Sequence, residues 1–153
     1  MWRAGVRLLL GGLLVLNLER SALAEPTIEI DQAWAKATPP KATVGAIYLT
    51  MRNRSDAADR LVGVDSSVSE RVEVHRVTVE NGVMNMQRII EGVELPPGGE
   101  VCLEPGGLHL MLIGLTAPLV EGQTITLRLE FERSDTVTAE VGVGPIGATG
   151  PVE

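Results

Sequence analysis

From residue 27 onward the apolar positions recur with a period of two. The segment Thr124-Ile125-Thr126-Leu127-Arg128-Leu129-Glu130-Phe131-Glu132 alternates without a break, which predicts a strand with one buried and one wetted face. Short β-branched runs of the same kind cover residues 27–34, 44–52, 60–65, 71–80, 83–89, 100–103, 108–115, 124–132 and 136–143. Turn signals punctuate them: Pro39-Pro40, Asn81-Gly82, Pro96-Pro97-Gly98-Gly99, Pro105-Gly106-Gly107, Glu121-Gly122 and Ser134-Asp135. No segment carries a long helical period. Many short strands at this spacing predict an all-β domain, a sandwich or barrel of antiparallel sheets.

Two of these runs carry the only histidines, each near methionine. In Leu108-His109-Leu110-Met111-Leu112, His109 and Met111 are two apart and share a strand face, while the leucines take the other. A half-buried strand with a satisfied histidine and a core methionine would look the same, since methionine commonly fills core gaps. The second pair depends on a turn. Asn81-Gly82 between two β-rich runs predicts a two-residue type I′ hairpin, which sets Glu80 opposite Val83, Val79 opposite Met84, Val77 opposite Met86 and His75 opposite Arg88. His75 and Met86 are then diagonal neighbours on one face, and Met84 lies a further pair along. Two imidazoles and two thioethers suit Cu(I), because thioether sulfur is a soft ligand; zinc would favour thiolates, more histidine or carboxylates. Neutral ligands also leave the cation's charge uncompensated, which suits a metal that must leave again.

The first segment reads as an export signal. Arg3 and Arg7 precede an apolar stretch at 8–18, and Ala22-Leu23-Ala24 offers a small-x-small cleavage site, so residues 1–24 are expected to be removed after Ala24. Asn17, Glu19 and Arg20 break the run short of the roughly 20 apolar residues of a membrane span. No other stretch is apolar enough to span. Three arginines and one glutamate leave with the signal, moving the formal net charge from −7 to −9, which argues against nucleic acid or an anionic membrane as partner. Aromatic residues make up only 3% of the chain, so the core of a single domain over 25–143 must be aliphatic. The tail, 144–153, is rich in Gly and Pro, lacks His and Met, and is expected to be disordered.

At these residues the sequence resembles the periplasmic copper-A chaperone (PCuAC) family. Ten residues separate His75 from Met86, and after a further twenty-two comes His109-Leu110-Met111. The flanks agree as well, from Ala33-Trp34-Ala35 and Thr38-Pro39-Pro40 through Gly45-Ala46-Ile47-Tyr48-Leu49 and Gly82-Val83-Met84-Asn85-Met86 to Pro105-Gly106-Gly107. The resemblance spans about residues 27–143. It implies a cupredoxin-like Greek-key β-barrel that binds one Cu(I) at an exposed site through His75, Met86, His109 and Met111. It also implies a periplasmic, monomeric metallochaperone, handing copper toward the CuA site of cytochrome c oxidase subunit II, directly or through a thioredoxin-like copper-transfer protein. Many members carry a methionine directly after the first histidine, where this chain has Arg76, and some carry a His/Met-rich C-terminal extension that this tail lacks.

Other readings remain open on the residues, among them a structural or adhesive β-sandwich whose His and Met residues are incidental. A blue-copper electron carrier could be written from His75, Cys102, His109 and Met111. Against it, Val101 and Leu103 flank Cys102 as core candidates, and the Pro105-Gly106-Gly107 turn separates it from His109. General copper buffering in the periplasm would use the same four ligands. An enzyme is not expected: with both histidines assigned to metal, none is left for a nucleophile–base pair, and Asp31, Asp56, Asp59 and Asp65 are dispersed.

Overall fold

The computed structural model describes residues 27–151; the expected export signal lies outside the described residues. Ten strands follow one another: β1 (Ile28–Lys36), β2 (Val44–Asn53), β3 (Asp59–Ser66), β4 (Ser69–Glu80), β5 (Val83–Arg88), β6 (Val93–Leu95), β7 (Glu100–Leu103), β8 (Leu108–Leu115), β9 (Thr124–Phe131) and β10 (Val137–Gly144). They form one sheet in the order β5-β4-β8-β2-β1-β10-β9-β3-β6, with β7 also pairing β2. Every ladder is antiparallel except β1 with β10. β3 packs against β4, distant in the strand order, so the sheet curls around its own interior. Among the described residues there is no helix long and apolar enough to cross a membrane.

The alternation along β9 becomes a strict in-and-out pattern, with Ile125, Leu127, Leu129 and Phe131 inward. Leu110 and Leu112 of β8 join them, beside Ile47 and Leu49 of β2 and Val141 of β10. Met51 is fully buried in this core. Each such aliphatic side chain contributes about 1.5–3 kcal/mol of burial. The interior is therefore the aliphatic one that the aromatic-poor composition requires.

Two features depart from what the sequence pattern predicts. β6 is absent from the predicted strands: it has only three residues between Gly92 and Pro96, too few to display a period, yet it places Val93 and Leu95 in the core against β3. The tail, expected to be disordered, has a definite course as far as Pro151. A turn closed by the Ala148 N–H donating to the Pro145 carbonyl brings Ala148 onto Trp34 and Tyr48, in a small cluster outside the main core. Apolar cover for that aromatic pair offsets the entropy of ordering the tail.

Candidate metal site

The hairpin of β4 and β5 has the register that its turn predicts. Asn81 and Gly82 both have positive φ, 51° and 77°, as a type I′ turn requires. Glu80 pairs with Val83, Val79 with Met84, Val77 with Met86 and His75 with Arg88. The next ladder adds what the sequence does not disclose. β4 pairs with β8 so that His75 lies directly opposite His109, and Glu73 opposite Met111.

These side chains share the outer face of the sheet, because their neighbours Val72, Val74, Leu110 and Leu112 pack into or against the core. The two imidazole rings stand 5.9 Å apart between centroids, tilted by 47°. His109 is buried, His75 is largely so, and Met86 is 53% exposed. Tyr48 continues the row beyond His109, with ring centroids 6.3 Å apart, and Trp34 stacks on Tyr48 at 4.6 Å.

Hydrogen bonds fix the tautomers. His75 Nε2 lies 2.9 Å from Glu73 Oε2, and a carboxylate only accepts, so Nε2 carries the proton. In the neutral ring His75 Nδ1 then holds the lone pair, and this atom is buried and without a hydrogen-bond partner. His109 Nδ1 donates to the Gly107 carbonyl at 3.3 Å, which leaves the lone pair on Nε2. Burial lowers the His109 pKa; the Gly107 hydrogen bond opposes this and the His75 charge adds to it, with a net downward shift. The ring is held in the neutral form that a metal binds. The Glu73 carboxyl is likewise lowered, first by the hydrogen bond from His75 and then by that from Arg71.

The two methionines flank the imidazole pair from opposite ends. Met86 stands opposite Val77 and Met111 opposite Glu73, with His75 between those positions on β4. In an untwisted ladder their Cα atoms would be about 16 Å apart. Strand twist and coiling shorten that separation, which a metal shared by both sulfurs would require.

Among the described residues no three His, Cys, Asp or Glu side chains converge on a common point, so His75, His109 and Cys102 do not form a His₂Cys centre. Cys102 is exposed on β7 opposite Thr50, whose hydroxyl donates to its sulfur at 3.7 Å. Glu73 is the residue at this site that sequence reasoning misses, although its position two before His75 places it on the same strand face.

A family model described as putative lipoprotein LpqE-like matches residues 28–143. The putative lipoprotein Lxx21020 of Leifsonia xyli subsp. xyli is 35% identical over 116 residues, covering 76% of this chain and 68% of that protein. Among solved structures, the copper-bound PCuAC domain from PmoF2 matches with a TM-score of 0.67 at 28% identity, over 80% of this chain and 96% of that one. The Cu(I) form of DR1885 from Deinococcus radiodurans matches with a TM-score of 0.61 at 28% identity, over 82% of this chain and 83% of that one. The all-β, cupredoxin-like architecture is the fold shared with these domains.

Proposed function

The chain belongs to the LpqE-like family, and from that premise we propose that it is an exported copper(I) metallochaperone whose site is His75, His109, Met86 and Met111. The observation that carries the reading is the buried, unpartnered Nδ1 of His75 beside the neutral imidazole of His109. A buried acceptor without a donor is costly, and a metal ion relieves that cost. The donors available are two imidazole nitrogens and two thioether sulfurs, a set suited to Cu(I). Copper-bound relatives of the same fold support the choice of metal.

The arrangement also suits release. All four ligands are neutral, and Met86 is open to solvent, so an acceptor's ligand can enter from the hairpin side as that thioether leaves. Export is supported by the expected signal at 1–24 and by the lipoprotein names of the relatives. The recipient suggested by the resemblance is the CuA site of cytochrome c oxidase subunit II, reached directly or through a thioredoxin-like protein.

The test is competition for Cu(I) against a chromogenic chelator under reducing conditions. The protein should bind one Cu(I), and His75→Ala or His109→Ala should weaken binding by about 100-fold or more. Failure to bind, or indifference to both substitutions, overturns the reading. For delivery, the measurement is oxidase assembly in a deletion strain under copper limitation; unimpaired assembly would leave copper buffering in its place.

A further inference from the structure

We propose that Glu73 is the positioning residue of this site, orienting His75 so that Nδ1, and not Nε2, faces the metal while His109 offers Nε2. The inference rests on the copper reading above and concerns how the site is held ready.

Glu73 sits on the outer face of β4, yet its side chain is only 8% exposed, a depth at which carboxylates are seldom found without partners. Each oxygen has a distinct task. Oε2 accepts from His75 Nε2 at 2.9 Å. Oε1 accepts from Arg71 Nε at 2.9 Å and lies 3.3 Å from Arg88 Nη1. The two guanidinium groups balance the carboxylate, and each arginine side chain remains more than half exposed. Arg88 belongs to β5, directly opposite His75 and two residues from Met86. One carboxylate therefore ties the imidazole to the strand that carries the exposed thioether.

Without Glu73, both neutral tautomers of His75 are open to it, and only one places its lone pair on the buried Nδ1. A ligand that must first change tautomer or turn its ring binds more weakly, which is why partners behind metal-binding histidines matter. If Glu73 served only to neutralise Arg71 and Arg88, Oε1 would be enough and the His75 tautomer would be independent of it.

The experiment is long-range ¹⁵N–¹H correlation on the metal-free protein, at a pH where both imidazoles are neutral, paired with Cu(I) competition. The wild type should show His75 protonated at Nε2 and His109 at Nδ1. Glu73→Ala should give mixed His75 tautomers and weaken Cu(I) binding by about 10–100-fold. Glu73→Gln, whose carbonyl still accepts from Nε2–H, should keep the tautomer and most of the affinity, and Arg71→Ala should keep the tautomer. A wild-type His75 protonated at Nδ1 overturns the proposal even if the Ala variant does not fold. So does a folded Glu73→Ala variant with unchanged tautomer and affinity. A wild type that shows the expected tautomers but binds no Cu(I) instead overturns the copper reading.

Discussion

His75 and His109 face each other across one ladder in opposite tautomers, each fixed by an acceptor behind the ring. The methionines are held less closely. Met84 and Met86 project from the same exposed face of β5, but only Met86 is a diagonal neighbour of His75. Substituting Met86 by Ala should therefore weaken Cu(I) binding, while Met84→Ala should leave it within about twofold, because it lies one full pair beyond the reach of a shared metal. Equal losses in the competition titration would mean that the hairpin register shifts on loading. The placement of Met86 over Met84 is legible in the sequence, because Asn81-Gly82 prescribes the turn and the turn prescribes the pairs. The meeting of His75 with His109 is not. It depends on pairing between strands more than thirty residues apart, which no local pattern encodes.

The β4–β5 hairpin is the most exposed element at the site, and β5 is an edge strand with every residue exposed. Gathering Met86 and Met111 onto one metal, as proposed, would draw it toward β8. Cu(I) loading should accordingly slow amide exchange in β5 while leaving β9 and β10 unchanged. Gly82→Ala probes the same element in the opposite sense. A Cβ there would meet nothing within 4 Å, so the cost is purely that of a positive φ, about 1–2 kcal/mol. That cost should appear as faster exchange in β5 and weaker Cu(I) binding. Leu110→Ala, on the inner face of the strand carrying His109, should instead lower global stability by about 2–5 kcal/mol. At this scale the long alternating strands are readable from hydrophobic pattern alone. β6 and the tail are not, because a three-residue strand has no period and a Gly/Pro-rich segment is ordered only by what it covers.

Across the whole molecule, Asp59 joins the start of β3 to the loop after β9. Its Oδ1 accepts from the Arg60 and Arg133 backbone N–H groups and its Oδ2 from that of Ser134. Burial raises its pKa, but hydrogen bonding from the Ser134 side chain and from these backbone groups outweighs burial, and the net shift is downward. A carboxylate with a lowered folded-state pKa contributes stability that is present above the unfolded-state value and lost as pH falls through the folded one. Asp59→Asn should therefore destabilise the fold near neutral pH and flatten the acid limb of its pH–stability curve, measured by urea unfolding at stepped pH. Nothing in the sequence marks Asp59 off from Asp31, Asp56 or Asp65, since its partners come from a loop about seventy-five residues away.

The row of rings from His75 through His109 and Tyr48 to Trp34 makes the protein its own gauge of occupancy. With Trp2 in the segment proposed for removal, Trp34 would be the sole tryptophan of the remaining chain, and its emission arises two rings from the proposed metal nitrogen of His109. Cargo arriving at His109 should dim that emission, and its surrender to an acceptor should restore it. Both legs of a transfer could then be timed in a stopped-flow cell with no dye attached.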